Sequence, residues 1–337
     1  MRIGVNPEKD KKIASDAYHR IIIPVYIPHL NDYFEHGLEF TSLCIESVIK
    51  TKHSRSALSV VNNGSCEEVT NYLQQLYNQG KIDQLVHYKQ NAGKIDAMMQ
   101  IAKTASEPLI TLSDGDVLFT DGWIQATEKV FSVFPEAGMV SPVPHGTMYA
   151  HFTANTIYDG IFKGRLKFQS VCDPEDMLRF AESIGSSDTM YKKSVRLKYQ
   201  LTVNRKELSA VVGCGHFVAT MRREVFNYSP GDKSNLAYAS EADKDYIDVP
   251  NEKAGLWRLA TTGNYAYHMG NIPQDWMRKK FNELIGEQDE VTEIPQSKTG
   301  FLPMSFKRFV VNRLWLNRIV KPHFFRRLGL KEGNREY

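Results

Sequence analysis

No stretch of this chain approaches the run of about 20 apolar residues that a membrane-spanning helix requires. The polar opening MRIGVNPEKDKK also lacks the apolar core of a signal peptide. Cysteine is scarce and scattered: Cys44, Cys66, Cys172 and Cys214 show no CxxC spacing, which argues against a zinc ribbon and a disulfide framework. A net charge of +3 over 337 residues is too small for whole-chain electrostatics to select a partner, and no nucleic acid is expected. No GxGxxG follows the first apolar run, so a nicotinamide dehydrogenase is excluded at that turn. Internal repeats and low-complexity segments are absent. What remains, 42% apolar and 24% charged residues, is the composition of an ordinary soluble globular protein, and the cysteine usage suits a reducing cytoplasm. Its length suits one large domain or two modest ones.

What is present is an alternation. Ile21 to Tyr26 is a continuous, β-branched apolar run; Thr41 to Thr51 follows with Leu43, Cys44, Ser47 and Val48 on one helical face. Leu58 to Val61 is the next strand, stopped by Asn62-Asn63-Gly64-Ser65, and Ser65 with Glu68 reads as a capping box for the helix that carries Val69, Tyr72, Leu73 and Leu76. Leu85–Tyr88, the helix Lys94–Ala105 and Leu109–Leu112 complete the series. Continuous apolar strands alternating with helices predict an α/β fold with a mainly parallel central sheet covered on both faces. Ligands of such sheets bind beyond the carboxyl ends of the strands, so the residues just after each strand face one crevice. From about 145 to 210 the periodicity is weak, apart from a predicted helix over Pro174–Ser183. Order returns at Val211–Ala219, at a helix start near Arg222, at a helix opening near Ser240 and at the strand Tyr265–His268.

The fourth strand ends in Asp114-Gly115-Asp116. Two carboxylates delivered to one point repel each other unless a cation lies between them, and Mg²⁺ or Mn²⁺ carrying a diphosphate suits them, while Gly115 lets the backbone approach closely. At the other strand ends, Pro24, Val25 and Tyr26 offer an aromatic ring for a nucleobase, and Asn91, Gly93 and Lys94 offer backbone N–H groups and one cation to a diphosphate. Trp123 and Trp257 read as core.

In order and spacing, IIIPVY, VVNNGS, NAGKIDA, SDGDVLFTDGW, GCGHFVATMRREVF, EADKDYID…AGLWRLA and YAYHMG resemble an inverting family 2 glycosyltransferase of the GT-A nucleotide-sugar fold, over roughly Ile21 to Gly270. The resemblance implies that Asp114 and Asp116 are the DxD pair, with Asp116 the direct metal ligand, and that His268 supplies a third ligand. Asn62 and Asn63 stand where the family usually has Asp-Asp or Asp-Asn; an amide still hydrogen-bonds a uracil imide or a ribose hydroxyl. The implied general base is Asp243, in the frame Ala242-Asp243-Lys244-Asp245 followed by Ala254-Gly255, with Asp245 as the alternative; Ala242 departs from the family's Glu. Gly213, Cys214, Gly215 and His216 would form the loop beneath the sugar and the acceptor, although a bulge between two strands explains the glycines equally well.

The implied chemistry is metal-dependent, inverting transfer of a sugar from a nucleoside diphosphate donor, UDP-linked, to a hydroxyl of a glycan or lipid-linked glycan, by analogy in bacterial surface-polysaccharide assembly. The division of labour would be 1–143 for the donor, 144–293 for the acceptor and base, and 294–337 as a basic tail. A non-catalytic carbohydrate- or nucleotide-binding protein of the same fold and a retaining transferase are the rival readings. From Ile294 to Lys331 there is no acidic residue, while nine Lys and Arg interleave with aromatic and aliphatic side chains. Such a segment suits either the face of an anionic membrane, at the cytoplasmic side of the inner membrane, or packing on the catalytic domain.

Overall fold

The computed structural model describes every residue except 1–2, 12–15, 192–194, 207, 238–239, 287–288 and 334–336. The first half runs β1 (His19–Val25), α1 (Gly37–Thr51), β2 (Ser56–Asn63), α2 (Glu67–Asn78), β3 (Gln84–Tyr88), α3 (Lys94–Ala102), β4 (Leu109–Ser113), β5 (Val117–Phe119), α4 (Trp123–Val133) and β6 (Ala137–Ser141). The second half adds α5 (Ala154–Phe162), β7 (Leu166–Ser170), α6 (Pro174–Ser183), β8 (Tyr199–Arg205), β9 (Leu208–Val212), β10 (Val218–Arg222), β11 (Trp257–Ala260) and β12 (Ala266–His268). A helical run over 240–253 lies between β10 and β11.

Ten strands form one sheet in the order β3-β2-β1-β4-β10-β6-β11-β9-β8-β7. β1 shows why the sheet is covered twice. Its alternate residues Ile21, Ile23 and Val25 enter the core beneath α1 and α2, whereas Ile22 enters the core beneath α3. Trp123 and Trp257 are fully buried, as expected.

The α/β class is as predicted, but the sheet is mixed rather than mainly parallel. β1 to β4 pair in parallel, and so do β6 and β11. β10 runs antiparallel between β4 and β6, and β7, β8 and β9 form an antiparallel edge. The parallel expectation extrapolated the βα rhythm of the first half, which does not persist: β8, β9 and β10 follow one another with no crossover helix, and β10 inserts between β4 and β6, with two strands between it and β9.

The Ser65–Glu68 capping box does not form. Cys66 caps α2, and Ser65 ties loops together: its Oγ donates to Val25 O at 3.2 Å and accepts from Ile27 N at 3.1 Å. The C-terminal segment packs on the domain. Val311, Phe325 and Leu330 are buried in the third core with Phe168 and Tyr149; Lys307, 1% exposed, meets Asp159 at 2.9 Å, and Arg308 pairs with Glu252. No helix among the described residues is long and apolar enough to cross a membrane.

Candidate active site

The carboxyl ends of β1, β2 and β4 open into a cavity of about 900 Å³. Pro24, Val25, Tyr26, Asn63, Asn91, Lys94, Asp114, Gly115, Asp116 and His268 line it, ten positions singled out from sequence. At one end Tyr26 meets Phe34 edge to face, with ring centroids 6.1 Å apart, and the 70% exposed Tyr33 continues the aromatic wall. Backbone geometry shapes the floor. A Cβ on Gly115 would sit 3.1 Å from Pro24 O, so the absence of a side chain lets β4 reach the tip of β1. Gly93, at φ +92°, precedes α3 where an added Cβ would lie 2.5 Å from Leu236 O, and the conformation delivers Lys94 to the cavity.

The register of a small ribbon sets the carboxylate end. β12 pairs antiparallel with β5, His268 opposite Val117, and Met269 N donates to Asp116 O at 2.9 Å. This brings His268 Nε2 to 3.5 Å from Asp116 Oδ2, while Ser183 Oγ holds the other ring nitrogen at 3.0 Å. Asp116 Oδ1 is buried with no protein hydrogen-bond partner. Burial pushes the Asp116 carboxyl above its ordinary range, against the pull of His268. An orphaned buried carboxylate oxygen beside an imidazole fits a divalent cation, which would neutralise that charge. Asp114 is held differently: its Oδ1 lies 2.5 Å from Lys94 Nζ, and its backbone N donates to Phe217 O.

Lys94 joins the donor side to the candidate base. Its Nζ is 3.7 Å from Asp243 Oδ1, and Asp243 Oδ2 is 3.8 Å from His216 Nε2. His216 Nδ1 in turn lies 3.3 Å from Asp248 Oδ2, and Asp248 Oδ1 is 2.8 Å from Nη2 of the fully buried Arg258 on β11. Positions five apart point to different sides of an α-helix. Here Lys244–Asp248 is one π-turn, and its wider winding turns Asp243 and Asp248 toward the same imidazole. Burial raises the Asp243 carboxyl, while Lys94 and His216 draw it back. Burial alone would lower the His216 imidazole; Asp248 and then Asp243 outweigh it and raise it.

Other expected residues fall elsewhere. Asp245 is exposed and pairs with Lys244, away from the cavity. Asn62 lies behind the wall with its amide consumed: Nδ2 donates to Thr70, and Oδ1 accepts from Ser65 N. Gly213 packs on Met148 and Cys214 is buried in the core, so of the 213–216 loop His216 is the member that reaches Asp243. Sequence reasoning gave no role to Asp248 or Arg258, although both lie in the stretch that carries the resemblance. It also passed over Ser183, Ile184 and Asn271, which line the far wall. The signal for Asp248 was its spacing from Asp243, legible only once the π-turn is known.

Comparison with known proteins adds the following. The chain overlays the mannosyltransferase PcManGT from Pyrobaculum calidifontis at 14% identity, covering 92% of this chain and 72% of that one, with a TM-score of 0.45. For GalNAc-T7 the figures are 12%, 91% and 50%, with a TM-score of 0.47. For residues 1–349 of S. aureus TarS they are 13%, 37% and 34%, with a TM-score of 0.30, so the overlay spans about a third of that protein. No curated protein matches the chain in sequence. Residues 21–170, which run from within β1 through β7 and include both aspartates of the Asp-Gly-Asp turn, match the family model for glycosyl transferase family 2.

Proposed function

We propose that this protein is an inverting glycosyltransferase that moves a sugar from a nucleoside diphosphate donor, UDP-linked, to a hydroxyl of a glycan or lipid-linked glycan. The observation that carries this reading is the single ammonium of Lys94 set between Asp114 at 2.5 Å and Asp243 at 3.7 Å, which puts a donor-side carboxylate and a buried base within one side chain's reach. Residues 1–143 would serve the donor and 144–293 the acceptor and the base.

Tyr26 and Tyr33 would hold the nucleobase, and Lys94 the diphosphate. Asp116 and His268, with Asp114 beside them, would hold Mn²⁺ or Mg²⁺, which when bound neutralises charge on the departing diphosphate. Asp243 takes the proton of the acceptor hydroxyl as the new glycosidic C–O bond forms and the C–O bond to the diphosphate breaks. A base near neutrality must be ionised yet basic. Burial makes the Asp243 carboxylate more basic, and Lys94 with His216 opposes that rise. Asp248 and Arg258 fix the ring of His216, so that its Nε2 faces Asp243. The lipid-linked side of the reading rests on the C-terminal segment. Though packed, it leaves Phe301, Phe309 and Ile319 from 60% to 99% exposed, with Arg313 and Arg318 also exposed.

The test is Asp243→Asn. Turnover with the donor that the protein binds is expected to fall about 10²- to 10⁴-fold with nucleotide affinity kept; unchanged turnover would remove Asp243 from the reaction.

A further inference from the structure

A second cluster of ligand-type side chains lies at the opposite end of the sheet. His19 opens β1 at its amino end, six residues and about 20 Å of strand before Val25 at the cavity. His53 stands in the turn before β2, and Glu128 lies on α4. All three side chains are 0% exposed. His19 Nδ1 is 3.1 Å and His53 Nε2 is 3.0 Å from the same Glu128 Oε1, and the three donor atoms lie within 4.8 Å of one another. The far ring nitrogens meet hydroxyls: His19 Nε2 lies 2.7 Å from Thr111 Oγ1, and His53 Nδ1 lies 3.0 Å from Ser56 Oγ.

We propose that His19, His53 and Glu128 form a structural binding site for a zinc-class divalent cation, separate from the candidate active site. Four observations support it. Among the described residues no Lys or Arg forms an ion pair with Glu128, whose buried carboxylate is met by two imidazoles and one backbone N–H, and burying such a charge is costly unless it is paired or bound to a metal. Two imidazole nitrogens and one carboxylate are a donor set that zinc accepts. Tetrahedral ligands at zinc distances stand about 3.3 Å apart, so two edges of the polyhedron, at 3.1 and 3.0 Å, need to open only slightly. The hydroxyls of Thr111 and Ser56 are placed to accept the far N–H of each metal-bound ring, which orients the ligand.

The consequence is a staple. Glu128 Oε2 accepts from Thr292 N at 3.0 Å, and Asp289 Oδ1 accepts from Ser54 N at 3.2 Å. The ion would therefore join β1, the turn before β2, α4 and the extended segment from 289 in one cluster.

The experiment uses the full-length Asp114→Ala/Asp116→Ala variant, which removes the donor-side carboxylates. As purified it is expected to hold about one zinc-class ion per chain by mass spectrometry of the metal. Chelation should lower Tm, and zinc at about 100 times its Kd should raise it again by about 5 °C. Co²⁺ in its place should give the visible absorption of a low-coordinate N/O site, and Glu128→Gln in the same background should abolish both signals. A metal-free protein whose Tm ignores added Zn²⁺ and which gives no stoichiometric Co²⁺ spectrum overturns the proposal. So does metal content that Glu128→Gln leaves unchanged. Neither outcome touches the transferase reading, which stands or falls with Asp243→Asn.

Discussion

Replacing Arg258 by Met should show how the interior holds the candidate base. The Arg258 side chain is fully buried on β11, its Nη2 lies 2.8 Å from Asp248 Oδ1, and Asp248 itself is 3% exposed. Met keeps the apolar length of the stem and removes the charge, so among the described residues Asp248 is left buried with the His216 imidazole as its one basic ion-pair partner. Removing one partner of a buried pair costs about 3–5 kcal/mol. His216 Nδ1, at 3.3 Å, still faces Asp248 Oδ2, and Asp248 with Asp243 raises the basicity of the ring against its burial. The cost should therefore fall near the lower bound, about 3 kcal/mol. In a chain of this length each kcal/mol moves Tm by about 2 °C, so a fall of about 6 °C is expected. The assay is thermal and urea unfolding of the wild type, Arg258→Met, Asp248→Asn and the double variant. With the carboxylate also gone the double variant should recover part of the loss, giving a coupling of about 2 kcal/mol. In turnover, kcat should fall with donor KM little changed, because the donor wall is untouched. A single-variant cost under about 1 kcal/mol with no coupling would refute the argument and leave Arg258 as packing.

Two further outcomes are expected. Burial, with Arg258 and His216 nearby, pushes the His145 imidazole down to about 4. The unfolded ring takes up its proton near 6.5, so the unfolded state binds more protons between those values and stability is lost as pH falls from about 6.5 to 4, by roughly 3 kcal/mol. His145→Gln should flatten that part of the plot of urea midpoint against pH, and an unaltered slope would show that other groups set it. For the C-terminal segment, cosedimentation with vesicles of anionic lipid should be strong at low salt, fall steeply with added salt and weaken in Phe309→Ser/Arg313→Ser. Binding to neutral vesicles alone, or none at low salt, removes the membrane contact from the reading.

Much of the first half was legible from residue order. Runs such as Ile21–Val25 and Leu109–Leu112 carry their own strand signal, and the polar residues after them had to share a crevice because parallel strands end on one side. Nine of the positions selected this way line the cavity, together with His268, which the resemblance implied. The weak periodicity of 145–210 hid β7, β8 and α5, because short antiparallel edge strands have one wetter face and leave no continuous apolar run. Ser65 looked like a cap because Glu68 follows it, yet its hydroxyl is drawn to Val25 O across the turn, a contact that no local spacing reports. Asp245 is the alternative to Asp243 in the sequence because Ala242 departs from the family's Glu and leaves the register of the motif open; two residues apart on a helical run they face different sides, and packing buries Asp243 while Asp245 is exposed.

By itself, then, the sequence determined the alternating α/β order, the two faces of each buried strand and the Asp-Gly-Asp turn at a strand's carboxyl end. These depend on side-chain periodicity and turn chemistry within a few residues. Tertiary structure alone decided the direction of β10, the meeting of His268 with Asp116, the path from Asp243 through His216 to Arg258, and the gathering of His19, His53 and Glu128. Each joins residues far apart in the chain, and such contacts are set by sheet register and core packing rather than by local sequence.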